Sequence, residues 1–550
     1  MKVVIVGGVA GGASAAARLR RLDEQAEIIM LEKGEHISYA NCGLPYHIGG
    51  VIVDEDELLL QTPESFYQRF RVQVRVRHEV ISIQKEAKTV RVRNLADGTE
   101  YEETYDKLIL SPGAEPFVPP MEGAALPRVF TLRNVADMRR IRQAVDHQAC
   151  QKAVVIGGGF IGLELCENLA ERGIQVSVVE AAPQILAPYD AEMARILQTR
   201  MEEAGICFYL NAQARAIREG ENGYLVELPE QKVLECDFVV LAIGVRPDSG
   251  LAKTAGLDLN ARGGIQTNEY METSERDIYA VGDAIEIKNA VLKSKGMTPL
   301  AGPANKQGRL AAGNLVGARE TYPGTVGSSV IKIFDLTAAC TGANEKMLQA
   351  AGISYEKVYL MPLSHAGYYP GATSLALKLL FDLNGKVLGA QCVGESGVEK
   401  RIDVIASVLH FGGNVKDLTQ LDLCYAPPYS SAKDPVNFAG YVAENVLGGL
   451  SPIWHWHELP KLDEQEITLL DVRTEEEYGE GHLRHSVNIP VDELRERIGE
   501  LDREKPIYLY CQVGIRGYIA QRILMQNGYT VWNLSGGYGF LSKIGVAPQG

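Results

Sequence analysis

Two cysteines stand where a thiol can react. Cys42 lies in Ser38-Tyr39-Ala40-Asn41-Cys42-Gly43-Leu44-Pro45-Tyr46, a polar loop rich in glycine and proline. Inert structural cysteines prefer apolar surroundings, so this setting favours a reactive thiol. No second cysteine lies close by in the sequence. Cys42 therefore cannot close a local disulfide and must cycle through a mixed disulfide, a persulfide or a sulfenic acid. Cys511 follows the apolar run Ile507-Tyr508-Leu509-Tyr510 and opens the loop Cys511-Gln512-Val513-Gly514-Ile515-Arg516, with a helix-forming stretch behind it. Loop N–H groups and that helix N-terminus can converge on the sulfur and stabilise a thiolate or persulfide. Arg516 is expected to add a fixed cation beside a bound anion. A phosphatase-like loop shares this geometry but wants a longer turn for phosphate.

Two glycine-rich turns promise nucleotide binding. After Val3-Val4-Ile5-Val6 comes Gly7-Gly8-Val9-Ala10-Gly11-Gly12 and then a helix. Gly7 suits the tight turn and Gly12 the close helix–strand packing, and the next strand ends in Glu32 at the distance that meets ribose hydroxyls. Val9 departs from G-x-G-x-x-G. Gly157, Gly159 and Gly162 fit that fingerprint fully, after Ala153-Val154-Val155-Ile156. There the following strand ends in Glu180. A carboxylate at that point bonds a free 2′-hydroxyl and repels a 2′-phosphate, which predicts NADH over NADPH. Glu164, just past the last glycine, reads either as a cap-region anion or as a site residue. Two dinucleotide folds imply two dinucleotides, most economically a bound FAD and a transient NADH.

The elements that must position these residues form an α/β chain. At 550 residues, a prior of roughly one domain per 150 residues suggests three to four units. Hydrophobic residues make up 46% and the net charge is −15, which argues against a nucleic-acid binder. Met1 leads almost directly into a strand, so no signal peptide is expected. No apolar run approaches the ~20 residues of a membrane span. The nine cysteines include no C-x-x-C, so neither a zinc ribbon nor a thioredoxin site is indicated, no metal is expected, and free thiols in the cytoplasm are. Residues 72–77 and 80–83 read as strands; 374–381 and 387–393 read as a hairpin about Asn384-Gly385. Residues 447–460 read as a linker whose Trp454 and Trp456 pack somewhere.

At this point the sequence resembles known families. Leu108-Ile109-Leu110-Ser111-Pro112-Gly113-Ala114 is similar to the segment that closes the FAD domain of two-dinucleotide flavoproteins, and residues 273–283 resemble their late G-D motif. Residues 1–445 resemble the coenzyme A disulfide reductase family. The resemblance rests on Ala10-Gly11-Gly12, residues 38–46, His365-Ala366-Gly367-Tyr368-Tyr369-Pro370-Gly371, Lys400-Arg401-Ile402-Asp403-Val404 and Tyr425-Ala426-Pro427-Pro428-Tyr429-Ser430. Two-cysteine relatives carry C-x-x-x-x-C where this chain has Cys42 alone. The resemblance implies that Cys42 is the nucleophile. It implies coenzyme A contacts at Ser14, Arg18, Arg21, Ser38 and Asn41, with Arg20 adding charge to the same helix. Tyr368 and Tyr425 would reach in from the other subunit of a homodimer. FAD would be held by Gly7, Gly11, Gly12, Glu32, Val80, Ser111, Gly113, Asp283 and Ala301, and NADH by Gly157, Gly159, Gly162 and Glu180. A lysine contact of the family falls at Phe70 here, between Arg69 and Arg71. Finally, Asp471-Val472-Arg473-Thr474-Glu475-Glu476-Glu477-Tyr478, Gly481-His482-Leu483, Asn488-Ile489-Pro490 and the Cys511 loop resemble single rhodanese domains.

The expected architecture is two Rossmann-like domains, an α+β dimerisation domain and a rhodanese α/β domain. FAD binding falls to 1–114 and 246–321, NADH binding to 115–245, dimerisation to 322–447, the linker to 448–460 and rhodanese to 461–550. The expected function is NADH-driven reduction of coenzyme A persulfides, polysulfides or coenzyme A disulfide, with sulfur handled at Cys511. The alternative is an NADH oxidase or peroxidase cycling Cys42 as a sulfenic acid. A non-enzymatic redox sensor is a third, weaker reading.

Overall fold

Each glycine-rich turn joins a buried parallel strand to a helix, and the chain does this twice in the same way. In the computed structural model, which describes residues 1–146 and 150–546, the first parallel sheet orders Ile278–Ala280, Lys107–Leu110, Lys2–Val6, Glu27–Glu32 and Gln73–Val76. The second orders Val129–Thr131, Phe238–Leu241, Lys152–Ile156, Gln175–Val179 and Cys207–Tyr209. The central strands carry β-branched residues on both faces because helices cover both, as parallel sheets require. Each parallel sheet has a three-stranded antiparallel companion: His78–Gln84, Thr89–Asn94 and Glu100–Thr104 for the first, Ala216–Glu219, Tyr224–Glu227 and Val233–Cys236 for the second. The chain leaves the first sheet after Lys107–Leu110 and rejoins it at Ile278–Ala280. The outgoing Ala114–Pro116 pairs antiparallel with the returning Val245–Pro247, so both crossings share one seam.

A five-stranded antiparallel sheet follows, in the order Ser329–Ile333, Leu336–Gly342, Val387–Gly394, Ala376–Phe381 and Glu356–Leu360. The expected hairpin is its middle pair. The last sheet is parallel: Ile453–Trp454, Val531–Leu534, Ile507–Tyr510, Thr468–Asp471 and Val487–Asn488. Residues 453–454, expected in a linker, are thus its edge strand. Trp454 is buried, and its indole N–H donates to the Leu509 carbonyl at 3.1 Å. Residues 147–149 of the expected inserted domain and 547–550 of the expected rhodanese domain lie outside the described residues.

The chain forms two compact units, residues 1–183 with 205–325, and residues 184–204 with 326–550. The helix Ala191–Glu203, expected with the inserted domain, belongs to the second unit. Apolar side chains of that helix, Met193, Ile196, Leu197 and Met201, are buried, and an ion cluster ties its N-terminal end to the antiparallel sheet. Lys378 is fully buried on Ala376–Phe381, and its Nζ lies 2.7 Å from Asp190, 2.5 Å from Glu192 and against Glu345. A buried ammonium needs such partners.

Candidate active site

The two dinucleotide turns are pinned by the same device. Gly7 adopts φ +95° and Gly157 φ +115°, which only glycine takes without strain. The Glu32 carboxylate accepts the Gly8 N–H at 2.8 Å and the Gly34 N–H at 2.7 Å. The Glu180 carboxylate accepts the Gly158 and Ala182 N–H groups, both at 2.7 Å. Each acid therefore stands beside the turn it serves, with lone pairs left for a ribose hydroxyl. A Cβ built on Gly159 would meet nothing within 4 Å. Among the described residues no protein atom requires that glycine, and the open space there suits close approach of a dinucleotide to the backbone. Gly11 differs, since a Cβ there would press on Ser111 Oγ and Val281, and Gly12 would press on the Gly7 carbonyl. Their smallness serves packing. Around the first turn, Ser111 and Gly113 follow Lys107–Leu110, Val80 sits on His78–Gln84, and Ala301 begins the helix Ala301–Leu315. Asp283 lies on the turn Gly282–Ala284 and pairs with Arg133 at 3.1 Å. The residues present fit a dinucleotide in both places.

Cys42 occupies the single helical turn Asn41–Gly43, with its thiol accessible. Ser38 has φ +46°, and its N–H donates to the Gly8 carbonyl at 2.8 Å, fastening the cysteine loop to the first dinucleotide turn. Cys42 Sγ lies 3.9 Å from Asn41 Oδ1. Although one side of the thiol is open, the recess behind it desolvates the sulfur and pushes its pKa up. Glu164 and Asp283 push in the same direction, and Arg133 opposes them. Sequence reasoning left Glu164 undecided. It is mostly buried, receives the Tyr46 hydroxyl at 3.5 Å, and is pushed up to about 7 by burial first and Glu167 second. It is among the charges that bear on Cys42.

The basic face of the helix Ala10–Leu22 is smaller than expected. Arg20 turns inward and donates to the carbonyls of Phe70, Asp23, Glu24, Ala26 and Arg71. Its charge is structural. Arg21 is exposed and Arg18 half-buried, so both keep a face toward solvent. The Ser14 hydroxyl bonds Asn305.

In the second unit, Tyr368 and Tyr425 share a hydroxyl–hydroxyl hydrogen bond of 2.8 Å, and both rings are exposed. Buried Arg401 unites the loops that carry them. It donates to the Ser364 carbonyl at 2.8 Å and to the Tyr429 carbonyl at 3.3 Å, and it pairs with Asp434 at 3.2 Å. The motif around Arg401 was visible in sequence, but its task was not.

The Cys511 loop closes as its residue types require. The Gly514 N–H donates to Cys511 Sγ at 3.1 Å, with Gly514 at φ +102°. Behind it starts the helix Ile515–Gln526. From the other side the Tyr538 N–H holds the Cys511 carbonyl at 2.8 Å and the Gly539 N–H holds the Gln512 carbonyl at 2.9 Å. Arg516 is held by a carboxylate of the domain itself. Its guanidinium is bidentate to Glu477 at 2.6 and 2.7 Å, and that pairing draws the Glu477 carboxyl down to about 2.

Comparison with known proteins agrees with this arrangement. Residues 1–308 match the pyridine nucleotide-disulphide oxidoreductase model, 328–435 its dimerisation domain and 456–539 the rhodanese-like domain. The chain belongs to the pyridine nucleotide-disulphide oxidoreductase family and is a flavoprotein reductase whose cofactors are FAD and NADH. Within that family it groups with the coenzyme A disulfide reductases that carry a rhodanese domain. It is 36% identical to the coenzyme A disulfide reductase of Staphylococcus aureus (strain JH9) over 80% of this chain and 100% of that protein. The structure of reduced Bacillus anthracis CoADR-RHD superposes with a TM-score of 0.96 at 50% identity, covering 99% of this chain and 98% of that one. A NAD-dependent persulfide reductase from A. fulgidus superposes at 0.93 with 36% identity, covering 98% and 100%. Among the described residues, no helix is long and apolar enough to cross a membrane.

Proposed function

We propose that this protein uses NADH to reduce the S–S bond of coenzyme A persulfides, polysulfides or coenzyme A disulfide at Cys42, and that its rhodanese domain handles the same sulfur at Cys511. The observation that carries this reading is one accessible thiol fastened to the first dinucleotide turn, in a chain that builds a second sulfur-holding loop. FAD, when bound, would supply the electron transfer from NADH to sulfur. The chain does the rest. The Cys42 thiolate attacks one sulfur of the substrate; the S–S bond breaks and the other sulfur leaves as a thiolate. Glu164 and the Tyr46 hydroxyl hold a proton near that sulfur. Glu180 reads the 2′-hydroxyl of NADH. Arg18, Arg21, Ser14, Ser38 and Asn41 take coenzyme A, with cations placed for its phosphates.

The enzyme is a homodimer in this reading, supported by the match to a dimerisation domain. Exposed Tyr368 and Tyr425 then serve the partner's site. Nine free cysteines suit the reducing cytoplasm. A comparison of kcat/KM for coenzyme A persulfide and coenzyme A disulfide on the pure enzyme ranks the substrates. Cys42→Ser should keep FAD and its reduction by NADH yet lose turnover of both. Substantial turnover in that variant would overturn the assignment.

A further inference from the structure

The short helix that follows Cys42 is gripped at its far end by side chains from two later helices. Leu44–Gly49 lies along Phe160–Glu171, against a face that runs through Glu164, Asn168 and, at the helix cap, Arg172. The Tyr46 hydroxyl reaches Glu164 at 3.5 Å. Gly49 approaches so closely that a Cβ there would lie 2.0 Å from Asn168 Oδ1. Arg172 donates to the Ile48 carbonyl at 3.2 Å. From the helix Val135–Asp146, Arg142 donates to the His47 carbonyl. Asp146 joins the two guanidinium groups, at 3.1 Å from Arg142 and 2.7 Å from Arg172.

This grip exceeds what a helix end needs. The last carbonyls of a helix lack intrahelical partners and carry partial negative charge. Gly50, at φ +86°, already returns its N–H to the His47 and Tyr46 carbonyls. A left-handed glycine is by itself an ordinary helix stop. Here two arginines add to it, and one carboxylate fixes both. Cys42 and Tyr46 stand four residues apart, so the seat of this helix sets how far each lies from Glu164. The groups that bear on Cys42 are Glu164 from Phe160–Glu171, Asp283 from the turn Gly282–Ala284, Arg133 from the segment before Val135–Asp146, and Tyr46 from its own helix. One helix thus begins at the second dinucleotide turn and carries the seat of the Cys42 helix along its length. We propose that Arg142 and Arg172, joined by Asp146, are positioning residues that fix the spacing of the Cys42 thiol, the Tyr46 hydroxyl and the Glu164 carboxyl.

This inference rests on the reading of Cys42 as the reacting thiol, and the experiment separates the two. Arg142→Met and Arg172→Met are made in the full-length, FAD-loaded protein, and Cys42 alkylation is followed against pH. Loss of a cation alone would move the profile, if at all, to higher pH. A loosened helix draws the thiol away from Glu164 and admits water, so the profile should move to lower pH by roughly half a unit. In a Glu164→Gln background the same substitutions should move it roughly half as far or less, the signature of coupled groups. The proton held by Glu164 and Tyr46 would no longer face the sulfur. Turnover of coenzyme A disulfide should therefore fall about fivefold or more in kcat, with KM within about twofold. FAD content and melting temperature identify the folded variants, and two substitutions guard against misfolding of either. A profile that stays put or moves to higher pH, an equal shift with and without Glu164, or an unchanged kcat overturns the inference. If Cys42→Ser keeps its turnover, the reading of Cys42 falls and the inference with it. If Cys42→Ser loses turnover while the arginine variants leave the profile unmoved, the inference alone falls.

Discussion

A thiol nucleophile usually has a cation or a helix N-terminus to lower its pKa. At Cys42 a desolvating recess and two carboxylates, Glu164 and Asp283, outweigh the one cation, Arg133, and the pKa is raised. Alkylation of Cys42 should accelerate as pH climbs through and beyond the usual thiol range. Glu164→Gln removes one of the two repelling charges. The Cys42 alkylation profile, followed peptide by peptide in a mass spectrometer, should then shift to lower pH by roughly half a unit to one unit. A profile that stays put would mean Glu164 acts on another group. Glu180 invites a second substitution. Because it also holds the Gly158 and Ala182 N–H groups, Glu180→Gln is the gentler test. It removes the repulsion of a 2′-phosphate, so the NADH to NADPH preference in kcat/KM should fall by roughly tenfold or more. An unchanged ratio would assign the ribose to another residue. At this scale the sequence shows what spacing encodes. The turns at Gly7 and Gly157 and their acids were legible because strand, glycines and acid follow one another at short range. The inward course of Arg20 and the capture of Arg516 by Glu477 were not, since both arginines look exposed in sequence and their partners are carbonyls or a carboxylate that only folding brings near.

Among elements, the strand Ala376–Phe381 has every residue buried, with a lysine in its middle. Its apolar run and the turn at Asn384-Gly385 made the hairpin legible, yet nothing nearby in sequence announces three carboxylates drawn from residues 190, 192 and 345. Those carboxylate oxygens lie within 4.8 Å of one another, an arrangement that resembles a metal site, and the Lys378 ammonium stands among them. Burial alone would lower the Lys378 pKa, but Tyr359 and the carboxylates outweigh it and hold it well above the ordinary value. Lys378→Met should therefore cost about 3–5 kcal/mol, because it strands buried charges rather than merely removing a contact. Urea unfolding of this unit would read that loss, and a change under about 1 kcal/mol would show that the carboxylates take up protons and relax. The same cluster predicts a pH dependence. Burial opposes ionisation of Glu345, but Lys378, Lys357 and Tyr355 prevail and draw it from 4.5 down to about 2. A carboxyl depressed in the fold contributes its full stabilisation above its unfolded range and loses it as pH falls through the folded value. The acid loss of stability should thus run from about pH 4.5 toward 2, and Glu345→Gln should flatten it.

For the whole molecule, how the rhodanese domain is held within its unit bears on the proposed transfer of sulfur. A flexible tether between residues 448 and 460 would let Cys511 swing. The chain there is instead an edge strand, and the domain packs within its unit against the antiparallel sheet. The Tyr359 N–H donates to Ser535 Oγ at 2.8 Å, the Tyr359 ring lies 4.6 Å from Phe540, and Lys543 reaches the Ser374 carbonyl at 3.2 Å. Tyr359 also donates its hydroxyl to Glu192 at 2.8 Å, so the docking face is continuous with the buried charge cluster. The tryptophans hinted at packing, but only the pairing of Ile453–Trp454 with Val531–Leu534 reveals a strand, because two residues are too few to show alternation. If sulfur passes from Cys511 to Cys42 as proposed, a domain held within its own unit leaves a diffusible thiol as the simpler carrier. Two changes that both abolish sulfur loading should then part company. Cys511→Ala should keep the parent melting temperature and full turnover of preformed coenzyme A persulfide, while losing sulfide release from an upstream donor. Deleting residues 448–550 should likewise lose donor-driven release and keep some persulfide turnover. It should also lower the melting temperature of the remaining unit, since uncovering the Tyr359 ring alone forfeits about 2 kcal/mol of buried apolar surface. Calorimetry on the three proteins measures this. Equal melting temperatures for the truncated and parent reductase would mean that the domain is only lightly held, and a swinging Cys511 would again be the simpler route.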